Sequence, residues 1–515
     1  MSTDVDAPVE TAQAGPPPGR TPRFVVAALV AARNGWRQLT SMRTALVLLF
    51  LLAVAAIPGS VLPQHAVKTE DVAKFYAAHP DLAPVLERLW GFDVYASPWF
   101  AAIYLLLFTS LIGCVTPRLA EHVRALRTPP PDAPRRLERL PQSAELNVDE
   151  AGARAALKGW RTVRREQPDG TVTLAAEKGY LKEAGNLLFH SSLLVILIGV
   201  GIGAQWGWHA NRLLVVGPDQ AFCSTLQQFD EYGLGPQVGP ADLAGFCLEL
   251  TDFKADFREN GSPISFQATT QVTDAHGTDL GSRTFAVNHP LRLDGANVYL
   301  LGHGYAPVLR YTDAKGVTQE TVAPFPFTDG TLTSLGVAMF PDANGGDKSA
   351  QIGFDGRYLP TRDKAPYLVS DFPLERNPVL VLTAYRGDLG LDAGITGSVY
   401  ELDKRQIEAG RLKRYGEAKL LRKGETWTLP DGSRLEFVGT RQWITVSIRH
   451  DPGEQIVLVG VILLLVGLPL SLYGRRRRVW LKLHPDGTAQ AGGLPRTEYP
   501  GFQDEFASLV ERWRR

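Results

Sequence analysis

The residue whose type and setting most clearly suggest chemistry is His190. It is the only ionisable side chain between Ala184 and Ala204 in the stretch GYLKEAGNLLFHSSLLVILIGVGIGAQ, which starts at Gly179. At 1.5 Å per residue this run is long enough to cross a hydrocarbon core roughly 30 Å thick. An ionisable group at that depth is costly and by default marks a functional position. Steps of four back from His190 reach Asn186, Lys182 and Lys178, so a continuous helix would carry an imidazole, an amide and two cations along one face. Two readings stay open on residues alone. The ring can bond to a carbonyl of a neighbouring helix, with the lysines as ordinary boundary anchors. Alternatively it is a ligand or proton-relay group, and iron in a haem suits a neutral imidazole in a dry place.

Other candidate groups are sparse. Of three cysteines, Cys114 ends an apolar run and reads as a small packing residue, whereas Cys223 and Cys247 fall in one polar region. Those two can be joined or free. Closing that loop would stabilise the fold by about 3 kcal/mol in the chain-entropy view, but the spacing is not the Cys-x-x-Cys of dithiol enzymes. The remaining histidines form no metal-spaced pair, and the sequence holds no Gly-x-Ser-x-Gly, P-loop or dinucleotide fingerprint. His209, in Trp206-Gly207-Trp208-His209, is placed to meet whatever leaves the membrane, or else it is a solvated residue beside an aromatic belt.

The elements that position these groups are membrane spans. Over 515 residues the chain balances 54 basic against 54 acidic side chains, and its mean hydropathy of −0.07 resembles that of a soluble protein. The average conceals four apolar segments, at 44–61, 98–115, 184–204 and 455–473. The first lies too far from the N-terminus, with too long an apolar run, for a typical cleaved signal peptide, and reads as a retained anchor. Residues 62–97 carry few basic groups and belong outside, whereas 116–183 is rich in arginine and belongs in the cytosol. Arg475 to Arg478 form a four-arginine stop after the last span, which places both termini inside. The arginines of 117–183 do not argue for nucleic acid, because ten acidic residues offset thirteen basic ones.

Residues 1–22 are rich in proline and alanine, lack hydrophobic periodicity and are expected to be disordered. Phe24 to Leu39 is expected to be a helix, either along the membrane surface or an ordinary short one. Residues 116–183 offer a helix over Asp149 to Gly159 and a hairpin turning at Pro168-Asp169-Gly170. Between 205 and 454, strand patterns recur around turns at Asn260-Gly261, Ala314-Lys315-Gly316 and Asp431-Gly432, with Val379 to Tyr385 as a further buried strand. The expected fold is therefore a polytopic α-helical membrane protein, four spans with cytosolic termini, bearing a large exoplasmic β-rich domain built as one sandwich or open barrel, or as two. A cytosolic tail over 474–515 completes it.

With these residues in place, the chain resembles the ResB family, also called CcsB, of the System II cytochrome c biogenesis machinery. The likeness covers nearly all of Leu39 to Leu481. It rests on SMRTALVLLFLLAVAAIPGSVLPQ from Ser41, SPWFAAIYLLLFTSLIGCVTPR from Ser97, EKGYLKEAGNLLFHSSLLVILIG from Glu177 and IRHDPGEQIVLVGVILLLVGLPLSLYGRRRRVW from Ile448. Gly302-His303-Gly304 and the arginine block resemble the actinobacterial form. The resemblance implies a plasma-membrane subunit of a holocytochrome c synthase, non-catalytic alone, that carries haem outward for attachment to apocytochrome c. It implies that His190 is one axial ligand of a b-type haem and that a ResC/CcsA-type partner supplies the opposing ligand and the tryptophan-rich haem segment. Lys182 and Lys178 would then meet the haem propionates beside Asn186, and Gly199, Gly201 and Gly203 would permit close helix approach, or merely pack. The competing function is a membrane-anchored receptor or thiol-redox protein using its outer domain.

Overall fold

The computed structural model describes residues 23–65, 69–391, 399–496 and 499–515. The segment 1–22, expected to be disordered, lies outside them. The chain divides into two units, Met1–Val200 with Gln455–Arg515, and Gly201–Glu454. In chain order the helices are α1 (Arg23–Leu39), α2 (Met42–Val61), α3 (Thr69–Ala78), α4 (Ala83–Arg88), α5 (Pro98–Arg127), α6 (Glu150–Ala156), α7 (Leu181–Trp206), α8 (Lys404–Glu408), α9 (Glu454–Tyr473) and α10 (Phe502–Arg514).

In the first unit α2, α5, α7 and α9 are each long and apolar enough to cross a membrane. Their starts follow from local chemistry. The Ser41 hydroxyl accepts the Thr44 amide at 3.2 Å, and Ser97 accepts that of Phe100 at 3.2 Å with Pro98 in the first turn. α5 outruns the expected 98–115 and continues through Pro117 to Arg127. Leu119, Val123 and Leu126 extend an apolar stripe there while Arg118 and Glu121 take other faces, so helical periodicity outlasts uniform hydrophobicity.

Two of the seams between the spans show how they are held. Where α1 gives way to α2, the Ser110 hydroxyl of α5 donates to the Leu39 carbonyl at 2.6 Å and the Cys114 thiol to that of Thr40 at 2.8 Å. They satisfy carbonyls that a helix end leaves without partners. Between α7 and α9 the approach is set by Gly460, Gly467 and Gly474, seven apart. A Cβ on Gly467 would stand 2.7 Å from the Phe189 nitrogen, one on Gly474 2.6 Å from Lys182 Cα, and one on Gly460 2.6 Å from Ile196 Cγ1. The glycines singled out from sequence behave differently: a Cβ on Gly201 meets nothing within 4 Å, and one on Gly203 would meet Asp451.

The segment 474–515, expected as a tail, is folded. Arg477–Leu483 and Ala489–Pro495 join Gln142–Leu146, Arg161–Glu166 and Val172–Lys178 in one antiparallel sheet. α6 and α10 cover one face, where Leu174, Ala176, Val479 and Leu481 meet Phe506, Leu509 and Trp513. The alternate residues Ala175 and Trp480 pack with Leu137 on the other face, so both sides of these strands are apolar. The expected hairpin at Gly170 forms, with φ +81° at the glycine.

In the second unit, Ala296–Thr312 and Arg434–His450 pair along 17-residue strands that serve two cores. One core lies between their sheet, which includes Trp208–Val215, and a four-stranded sheet of Phe222–Cys223, Phe246–Phe257, Pro263–Asp274 and Asp279–Ala286. The other packs Leu309, Tyr311, Leu435 and Phe437 against the sheet of Ser334–Phe340, Ile352–Leu359 and Val379–Gly387. The fold class is thus a polytopic membrane protein with a large β-rich domain, split in two cores. All three expected turns form, with positive φ at Gly261, Gly316 and Gly432.

Where the first unit's sheet meets α7, charge is buried. Glu177 and Arg476 are 2% and 4% exposed, and their carboxylate and guanidinium lie 2.5 Å apart. Arg478 reaches the same carboxylate at 3.1 Å and the Tyr180 hydroxyl donates to it at 2.6 Å. Burial alone would raise the Glu177 carboxyl, but the bonds from Arg476 and Tyr180 and the two guanidinium charges outweigh it and hold it below the usual range. Arg476→Met leaves that charge in the interior and is expected to cost about 3 kcal/mol, the low end for a broken buried pair because Arg478 remains. Thermal melts of the solubilised chain should show the loss, and adding Glu177→Gln should recover most of it. A double variant no better than the single one contradicts this account.

Candidate functional site

His190 lies mid-helix in α7, half-buried. Its Nδ1 is 2.7 Å from the carbonyl oxygen of Asn186, one turn back on its own helix. A carbonyl can only accept, so in a neutral ring Nδ1 carries the proton and the lone pair is left on Nε2. The bond therefore fixes the tautomer that can ligate a metal, as a carbonyl bonded to the other ring nitrogen of a histidine ligand does. The bond lies inside α7, whereas one of the two readings open from sequence has the ring bonded to a neighbouring helix. Asn186 contributes through its backbone, a role its residue type could not reveal.

α5 flanks the face of α7 that carries His190. One side of the ring has the Tyr104 hydroxyl donating to the Leu197 carbonyl at 2.7 Å. On the other, His122 Nδ1 stands 3.5 Å from Glu183 Oε2, with the His122 side chain only 10% exposed. Among the described residues that nitrogen has no hydrogen-bond partner. Glu183 and His190 are seven residues apart, about 10.5 Å along the axis. A metal takes imidazole nitrogens at about 2 Å, so His122 is too distant to ligate the same ion as His190. His122 and His190 are therefore not a ligand pair for one ion.

The cations expected beneath the ring separate. Lys182 follows on the helix at the α9 seam, its backbone against Gly474. Lys178 does not share that face: it ends a strand, and Gly179 at φ +102° turns the chain before α7 begins at Leu181. A Cβ on Gly179 would stand 1.9 Å from the Arg475 carbonyl oxygen, so the break is enforced. The Lys178 ammonium lies 5.8 Å over the Trp160 ring. What sequence reasoning missed is the rim built by Arg475 to Arg478, read only as a topological stop. Arg476 joins Glu177 and Glu183, Arg477 joins Glu505, and Arg475 stacks on Tyr499. Only their partners in the folded unit reveal this use.

In the second unit Cys223 and Cys247 are disulfide-bonded across paired strands. His209 is a strand residue packed on Gly233, and burial, then the Arg449 charge, lowers its pKa. The expected aromatic belt is halved: Trp206 is exposed, but Trp208 is buried in the first core.

A model of the ResB-like family matches residues 42–507 of the chain. A cytochrome c biogenesis protein CcsB from Synechococcus sp. strain RCC307 is 28% identical over 497 residues, covering 93% of this chain and 96% of the relative. Proteins of the same name from Gloeobacter violaceus and Thermosynechococcus vestitus are 26% and 25% identical; each alignment covers 92% of this chain, and 89% and 94% of the respective relative.

His303 is a second imidazole in apolar surroundings. Phe266, Phe253 and Phe257 place their ring centres 4.5, 5.1 and 6.2 Å from its own. Burial pushes its pKa down to about 4. An unfolded chain, with an ordinary value of about 6.5, takes up the proton first. The contribution of the neutral ring is therefore whole above about pH 6.5 and is withdrawn as pH falls towards about 4. His303→Phe should flatten that part of the melting-temperature profile; an unchanged slope would assign the acid sensitivity elsewhere.

Proposed function

The chain belongs to the ResB-like family, and on that premise we propose that it serves cytochrome c biogenesis by carrying haem across the membrane, for attachment to apocytochrome c, together with a ResC/CcsA-type partner. The observation that carries this reading is the Nδ1 bond of His190 to its own helix, which leaves Nε2 as a lone-pair donor in an apolar span. When bound, a haem supplies the redox-active iron. This chain's residues would hold and orient it, His190 through Nε2 to the iron and Lys182 through attraction for the propionates at the rim. Lys178, off the helical face, adds charge at longer range. In this reading His122 is too far from His190 to share its ion, so the second ligand would come from the partner.

The proposed orientation places the termini and the first unit's sheet in the cytosol and residues 205–454 on the extracytoplasmic face of the plasma membrane. Two observations support it. Basic residues gather at the sheet side of the spans, and a disulfide in the β-rich domain suits an oxidising compartment.

Co-purification with the partner tests the proposal. The wild-type pair should show a b-type absorption spectrum, and His190→Ala should lose it while both proteins remain assembled. Full absorption with normal cytochrome maturation in that variant would sink the reading. The competing thiol-redox role predicts a different pattern. Cys223→Ser with Cys247→Ser is expected to lower stability by about 3 kcal/mol and to leave the absorption intact; loss of cytochrome maturation at unchanged stability would favour the thiol role instead.

A further inference from the structure

We infer that His65, Glu87 and Asp93, in the loop between α2 and α5, form a site for a divalent transition-metal ion of the zinc class. Each offers one donor atom, and the three atoms lie within 4.8 Å of one another. His65 comes from the residues after α2, Glu87 from α4 and Asp93 from the turn before α5, so one ion would tie three separate pieces of chain. His65 Nδ1 and Asp93 Oδ2 are 2.8 Å apart. Tetrahedral donors about 2.1 Å from a zinc ion stand about 3.4 Å from one another. The pair must therefore open by about half an ångström, which half-exposed side chains can do by small rotations.

The surroundings hold these donors in place. The buried Gln64 donates from Nε2 to the Gly91 carbonyl at 3.0 Å and accepts the Val94 amide at 3.0 Å. The His65 amide donates to the Phe92 carbonyl at 3.0 Å. Its ring meets the fully buried Phe92 edge-on at 6.0 Å. The Tyr76 hydroxyl donates to Glu87 at 3.3 Å. A plain His65–Asp93 ion pair would account for two of the three groups and leave the convergence of a second carboxylate, a like charge, as an added repulsion. A dication relieves it. One imidazole with two carboxylates selects zinc-like ions over calcium, which takes oxygen donors only.

The test uses the full chain in detergent, stripped with a chelator and titrated calorimetrically with Zn2+. One equivalent should bind at micromolar concentration or tighter, and raise the melting temperature. His65→Ala and Asp93→Asn should each weaken binding at least about tenfold, whereas His79→Ala should leave it unchanged; Glu87→Gln stands in should either of the first two fail to fold. Absence of saturable binding, equal binding by the His65 variant, or equal competition by Ca2+ overturns the site. The haem absorption of the partner complex reads out separately, so either idea can fail alone.

Discussion

Inside a bilayer, a polar group without a partner costs several kcal/mol, and His190 meets that constraint within its own turn. The Asn186 carbonyl that takes the backbone amide of residue 190 in any α-helix has a second lone pair, and Nδ1 uses it. The ring then needs no neighbouring helix for its stability. Nε2 is left free of that duty, and the α5 contacts at Leu197 and Glu183 lie beyond it on either side. The proposed haem role follows from this division of the two nitrogens more than from the presence of a histidine.

Holding the ring at a set depth requires that α7 neither slide nor rotate. Two features oppose both motions. The close approach of α9 at Gly460, Gly467 and Gly474 leaves no room for a side chain, so a shift in register would drive Cβ atoms into backbone. At its base, Glu183 in the first turn is held by Arg476, which also anchors Glu177. An acidic residue there suits the helix dipole as well. The buried pair is a poor source of stability, but it joins strand, helix and the end of α9 in one place.

Much of this was legible beforehand, and what was not has identifiable causes. The spans show because twenty apolar residues need no tertiary context. The hairpins show because Asn-Gly and Asp-Gly turns have local conformational demands, as at Gly261 and Gly432. Lys178 misled because a four-residue count assumes that the helix continues, and the break depends on a carbonyl of residue 475, nearly three hundred positions away. For the same reason the tail was unreadable as a sheet: Arg477–Leu483 finds its partner in Val172–Lys178 only after two membrane crossings. Gly201 and Gly203 look like a packing motif by spacing, yet the seam is set by Gly185 of α7 with Gly460 and Gly467 of α9 and Gly474 just after it.

That long-range sheet makes its own contribution to topology. Positive charge biases which ends of a span stay inside, but it acts on each span separately. Here the strand leading into α7 lies beside the strand leaving α9, and the segment following α5 supplies Gln142–Leu146 to the same sheet. Three helix ends are thereby bound to one side by backbone hydrogen bonds. An inverted α7 or α9 would break the sheet, expose the face now covered by α6 and α10, and strand Glu177 without Arg476. The arginine run, proposed above as the charge bias that sets orientation, is also the ionic core of the folded unit. The second role explains why its members point to different partners.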